Sequence, residues 1–144
     1  MKVYDVIVVG GGLAGLSAAW ILNLHNTDFL LITDGIGGKI VDSPHVLLFP
    51  FVNMSGRDMI EWLLDRVPKE RVVEDRIEKA ELSRRVRVLH GRSGKEYYCK
   101  AVIFATGGIV KNRIGDVELP TCPLCELPKL YGKRVALIFD EPQY

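Results

Sequence analysis

Residues 4–15 read Y-D-V-I-V-V-G-G-G-L-A-G, and this stretch decides the fold. Positions 4–9 are a short, β-branched apolar run, the pattern of a strand buried on both faces of a parallel sheet. Three glycines follow at once. From Leu13 the chain becomes small and apolar, L-A-G-L-S-A-A-W-I-L-N-L, which predicts a helix over 13–24. F-L-L-I between polar ends predicts a second strand over 28–33. Strand, tight turn, helix and parallel strand make a βαβ unit.

Gly10, Gly12 and Gly15 satisfy G-x-G-x-x-G. The string is weak alone, but here it closes a strand and opens a helix. Each glycine then has its own task. Gly10 permits the sharp turn, Gly12 leaves room for a pyrophosphate against the backbone, and Gly15 lets the helix pack close to the sheet. The free amides at the helix start and the positive end of its dipole favour phosphate. The alternative is a tight structural turn with no ligand. An acid about 20 residues further on would grip ribose hydroxyls. Thr33 ends the second strand and Asp34 follows it, so either can make that contact, although Asp34 also suits a turn before Gly35.

Beyond this unit, the glycines and prolines of 34–53 predict a loop. Ser55, with Asp58 three residues on, predicts a capped helix over 56–67 that stops before Pro68. Met59, Ile60, Leu63 and Leu64 form its apolar stripe. Residues 72–100 predict short strands, with a hairpin turn at 91–94 and a returning strand at 96–99. A-V-I-F-A at 101–105 predicts a separate buried strand ending in T-G-G. Residues 109–130 hold three prolines and no periodic pattern, and a final strand is expected over 134–139.

At 144 residues the chain is about one domain in size. Its 48% hydrophobic content supports a packed core and argues against disorder. Nineteen basic residues against 18 acidic ones give a net charge of +1, which removes the electrostatic case for a nucleic-acid partner. No apolar run approaches the roughly 18 residues of a membrane span, and no leader pattern opens the chain. Three cysteines are no disulfide scaffold, and an odd count suits a reducing compartment. A cytoplasmic address is therefore expected.

Taken together, residues 4–19, G-I-G-G-K at 35–39, S-G-R-D-M-I-E-W-L at 55–63 and A-V-I-F-A-T-G-G at 101–108 resemble the FAD-binding half of thioredoxin reductases, and more broadly the flavoproteins with two dinucleotide-binding domains. The order and spacing match over residues 2–108. The resemblance implies an α/β, Rossmann-like parallel sheet with flanking helices and a small β-meander. It implies FAD as cofactor, with an FAD-binding domain over 1–110 and an irregular segment over 111–144. Gly10, Gly12, Leu13, Ala14 and Gly15 correspond to the pyrophosphate turn, and Thr33 or Asp34 to the ribose contact. Gly38 and Lys39 correspond to the glycine and glutamine beside the flavin side of the cofactor. Ile77 corresponds to the position whose backbone meets adenine. Ala105, Thr106 and Gly107 correspond to the motif where the chain passes the pyrophosphate. One departure is Leu48, where the family has an asparagine two residues before proline. Another is Gly115-Asp116, a Gly-Asp pair without the strand that precedes the family's flavin-end motif.

Cys122 and Cys125 form C-P-L-C, followed by Glu126. By spacing alone this is a redox dithiol, half a zinc site, or two loop thiols. Cys99 and His90 are the nearest candidates to complete a zinc set, but they lack paired spacing, and no metal is expected. The family carries a C-x-x-C plus acid at about this place, then a G-K-x-V strand, matched here by Gly132, Lys133, Arg134 and Val135. The resemblance makes Cys125 the flavin-facing sulfur, Cys122 the thiol that attacks a substrate disulfide, and Glu126 the general acid. Asp140, Glu141 and Pro142 stand where a second glycine turn would follow, so the reductant is expected from a redox partner protein or second subunit, with a homodimer as one arrangement. The rival expectations are a non-catalytic FAD or NAD binding module, and a fragment of a larger flavoenzyme.

Overall fold

The run of valines and isoleucines after Lys2 forms β1 (Val3–Gly12), which continues through the three glycines beyond the expected 4–9, and the small-residue segment after it forms α1 (Leu13–Leu24), as the sequence predicts. In this computed structural model the described residues are 2–42, 46–49, 52–83, 85–108, 113–114 and 117–118. β2 (Phe29–Gly37) starts where expected but runs on past Thr33. Its extension pairs Ile36 with Gly11 and Gly37 with Gly12, because β1 also stays extended through its glycines. The loop expected over 34–53 is thus partly ordered. A 3-10 turn (Gly38–Asp42) follows, then a hairpin of β3 (Val46–Phe49) and β4 (Val52–Met54).

The predicted cap is present. The Ser55 hydroxyl accepts from the Asp58 backbone N–H at 3.1 Å, and the Asp58 carboxylate accepts from the Ser55 N–H at 3.3 Å. This reciprocal pair starts α2 (Gly56–Leu64), which buries Met59, Ile60 and Leu63 and ends three residues earlier than expected. β5 (Val72–Glu74), β6 (Ile77–Glu81), β7 (Arg87–Gly91) and β8 (Glu96–Phe104) follow. β8 is one strand where the sequence suggests two. Its first half pairs with β7 and its second with β1, with Tyr98 and Cys99 paired on both sides. The expected burial of that second half is also corrected. Ala101, Ile103 and Phe104 are exposed; Ala101 and Ile103 lie beside Val6 and Val8 on the helix face, where α1 and α2 cover β1 and β2 instead.

The sheet order is β5-β2-β1-β8-β7-β6. β5, β2, β1 and β8 are parallel, and β8-β7-β6 is the antiparallel meander. Alternate residues of the central strands serve two cores, which is why the runs are continuously apolar. Val8, Phe29 and Leu31 face α1 and α2 together with Leu16, Met59, Ile60 and Leu63. Ile7, Val9, Leu30 and Ile32 face the other way and join Leu89 and Cys99 from the meander. Cys99 has no exposed surface, and burial pushes its thiol above the usual range. Met1–Gly108 forms one compact unit and Ile109–Tyr144 another. In the second, β9 (Arg113–Ile114) pairs antiparallel with β10 (Val117–Glu118). Among the described residues no helix is long and apolar enough to cross a membrane.

A buried carboxylate fastens the meander to the parallel sheet. Asp75, 8% exposed, accepts from the Ser93 hydroxyl, from the Tyr97 hydroxyl at 2.8 Å, and from the backbone N–H groups of Arg76 (2.8 Å) and Ser93 (3.2 Å). The Ser93 hydroxyl is the largest cause that holds its pKa down, to about 2, against the opposing effect of burial. A carboxylate depressed in the folded state stabilises above its unfolded pKa, and that contribution is lost as pH falls through the folded value. Wild type is therefore expected to lose stability between about pH 4 and about pH 2, and Asp75→Asn to lose less over that window while melting lower at pH 7. Thermal melts of both proteins at pH 7, 4 and 2.5 measure this. Parallel curves for the two proteins would contradict the network's role.

Candidate dinucleotide site

The chain leaves β1 toward β2 and β5 on one side, then returns through β8 on the other side of β1. This reversal makes the C-terminal ends of β1 and β8 a topological switch point, where open α/β sheets hold ligands. Gly10–Gly12 stand at one of these ends and residues 105–108 at the other. The Ala105 N–H donates to the Val9 carbonyl at 2.8 Å, so the two ends are tied together.

The three fingerprint glycines meet different surroundings. Gly10 has φ +113°, and a Cβ there would lie 2.3 Å from the Ala105 carbonyl oxygen. A Cβ on Gly15 would lie 1.8 Å from the Gly10 carbonyl oxygen and 3.5 Å from the Ala105 methyl. Both positions are therefore fixed by close packing of turn, helix and β8. Gly12 differs. Its backbone is ordinary extended chain at the N-cap of α1, and a Cβ there would find nothing nearer than the Gly37 carbonyl oxygen at 3.9 Å. Of the three, only Gly12 has an open Cβ position. The N-cap is a glycine, which has no side chain to cap α1, and no acid lies in the first turn. Leu13 and Ala14 contribute those amides, and Ala14 is exposed.

At the end of β2, Thr33 is 5% exposed. Its hydroxyl donates to the Gly35 carbonyl at 2.6 Å and accepts from the Gly35 N–H at 3.2 Å. The hydroxyl is thus engaged in a local turn. Asp34 is exposed, and the Arg76 guanidinium donates to its carboxylate at 3.4 Å. Ile77 begins β6 opposite Gly91 and packs partly against the far-face core. Gly38 has φ +61°, and a Cβ there would lie 3.4 Å from the Gly12 Cα. The Lys39 ammonium lies 3.8 Å from the Cβ position of Gly108. Thr106, Gly107 and Gly108 are exposed. The structure thus brings together Gly10, Gly12, Gly15, Gly38, Lys39 and the 105–108 segment.

Cys122, Cys125, Glu126, Gly115, Asp116 and the strand expected over 134–139 lie outside the described residues. Of the residues considered for zinc, Cys99 is in the far-face core and His90 lies between Glu81 (3.3 Å) and Glu96 (3.4 Å). Among the described residues no group of three His, Cys, Asp or Glu side chains is arranged to hold a metal.

Three structural requirements escape the sequence reading. A Cβ on Gly11 would lie 2.6 Å from the Thr33 hydroxyl, so the middle glycine is required by β2. A Cβ on Gly56 would lie 1.6 Å from the Ile40 carbonyl oxygen, which fixes the 3-10 turn against α2. Asp75 is the third. The G-G-G run was the one local signal available for Gly11. Gly56 and Asp75 meet partners that local patterns do not reveal.

Comparison with known proteins agrees with this geometry. Residues 8–46 match the family of NAD(P)-binding Rossmann-like domains. Thioredoxin reductase of Bacillus subtilis (strain 168) is 28% identical, over 95% of this chain and 46% of the relative. Thioredoxin reductase of Peptoclostridium litorale is 34% identical, over 76% of this chain and 36% of the relative. Ferredoxin–NADP reductase 1 of Oceanobacillus iheyensis is 31% identical, over 75% and 34%. The chain thus spans less than half the length of each of these relatives. Among solved structures, thioredoxin reductase from Streptococcus pyogenes superposes with a TM-score of 0.67 at 25% identity, covering 86% of this chain and 44% of that one. These likenesses agree with the Rossmann-like architecture built above from strand order and the glycine turn.

Proposed function

We propose that this chain, thioredoxin reductase-like in sequence and Rossmann-like in fold, holds FAD at the ends of β1 and β8 and acts in flavin-dependent disulfide reduction. The observation that carries the reading is the open cradle at Gly12, walled by glycines whose own Cβ positions are filled. This is the shape that backbone contact with a diphosphate requires. The amides of Leu13 and Ala14 would donate to the phosphate oxygens, favoured by the α1 dipole. Asp34 would accept the ribose hydroxyls, since the Thr33 hydroxyl is engaged with Gly35. The Ile77 backbone would border the adenine, and Ala105, Thr106 and Gly107 the diphosphate. Gly38 would line the path toward the flavin. The flavin, when bound, supplies two-electron chemistry that no side chain here has.

The Cys122–Cys125 disulfide would take up two electrons and two protons and open to a dithiol. The Cys122 thiolate would then attack a substrate disulfide, with Glu126 giving a proton to the departing sulfur. Cys125 would attack the mixed disulfide, release the second substrate thiol and restore the S–S bond. The electrons would enter from a partner protein or second subunit.

Identification of the nucleotide bound to the purified protein tests the first half. The expected result is a yellow protein that releases one FAD per chain. A colourless protein that takes up no FAD would overturn it. Thiol titration before and after reduction of the bound flavin tests the second half. Two additional thiols are expected, and an unchanged count would leave a non-catalytic FAD-binding module.

A further inference from the structure

We infer that the Lys39 ammonium forms a second, cationic wall of this site and binds the diphosphate of the dinucleotide. The inference rests on the FAD reading above and assigns one residue a part in it. The resemblance aligns Lys39 with a glutamine on the flavin side, but its position in this fold points elsewhere. Gly38 brings the start of the 3-10 turn against Gly12, at 3.4 Å from a Cβ position to the Gly12 Cα. From the next residue, the lysine side chain reaches the segment that follows β8, where its ammonium lies 3.8 Å from the Cβ position of Gly108. Gly108 directly follows Ala105–Gly107, the segment assigned to the diphosphate.

The charge balance leads to the same place. α1 presents the positive end of its dipole with neither a side-chain cap nor an acid in its first turn. Among the described residues, Lys39 forms no ion pair, which it shares with Arg57, Lys69 and Lys95. Asp34, the acid at the neighbouring strand end, is paired with Arg76. Two positive features therefore lie at this end of the sheet, and among the described residues no carboxylate pairs with Lys39 or stands in the first turn of α1. An anion relieves that arrangement, and a lysine serves such a group as a point charge on a flexible stem. The ammonium is exposed, so its contribution is moderated by solvent.

Titration of the full chain with FAD and with ADP, for wild type, Lys39→Gln and Lys39→Arg, tests the inference. Lys39→Gln should weaken FAD and ADP alike, each about tenfold, and reduce the salt dependence of both affinities. Lys39→Arg should restore most of the loss. The exposed side chain leaves the melting temperature unchanged, which separates binding from folding. Loss for FAD with none for ADP would assign the ammonium to the flavin end and overturn the inference. No loss for either ligand would make Lys39 an ordinary solvated lysine. Failure of folded wild type to bind either ligand would instead sink the FAD reading itself.

Discussion

Gly15→Ala abolishes stable folding, or lowers the melting temperature by about 15 °C or more. The new methyl would lie 1.8 Å from the Gly10 carbonyl oxygen and 2.9 Å from its carbon. These are backbone atoms, so no rotamer change can clear them. Gly10 cannot yield either, because it already sits at φ +113° with its own Cβ position 2.3 Å from the Ala105 carbonyl oxygen. Relief requires α1 to lift from β1, which opens the core at Leu16 and Ala19, both fully buried. Inserting a methyl into a well-packed interior costs about 1–3 kcal/mol where side chains can adjust, and a clash with fixed backbone lies at or above the top of that range. Thermal melts followed by circular dichroism give the answer. A variant that melts within 3 °C of wild type, as an approximate margin, would mean that helix and turn are not packed as described.

Gly12→Ala gives the opposite outcome. The chain folds, with a melting temperature within about 5 °C of wild type, yet its affinity for FAD falls about 100-fold. The backbone there is extended, at φ −81° and ψ −172°, which alanine adopts without strain. Its methyl would sit 3.9 Å from the Gly37 carbonyl oxygen, an ordinary contact. A modest loss is expected because alanine is a poorer N-cap than glycine. The methyl then occupies the space through which a phosphate reaches the amides of α1. Melting and FAD titration of the one variant separate the two effects. Undiminished FAD affinity is the result that would remove the cradle from its assigned role.

The elements that the sequence revealed are those whose causes are local. Residues 4–15 contain in twelve positions the strand, the turn and the helix start, and α1 begins and ends where its small-residue run does. The Ser55–Asp58 box is likewise complete within four residues. What stayed hidden depends on distant partners. β2 continues past Thr33 because extended glycines of β1 lie beside Ile36 and Gly37. β8 is continuous across Lys100 because β7 and β1 receive its two halves in turn. Asp75 carries no local signal, because its partners Ser93 and Tyr97 are 18 and 22 residues away. At the site, the glycine spacing announced the turn. Which glycine faces open space, and that Thr33 spends its hydroxyl on Gly35, follow only from the folded chain.

The sulfur of Cys99 gives the protein a built-in clock. It sits at the junction where the meander meets the parallel strands, with no exposed surface. An alkylating reagent can capture it only after the strands around it have separated. In excess reagent the capture rate reports how often that separation occurs, and its dependence on denaturant tells whether the junction opens by itself or with the whole molecule.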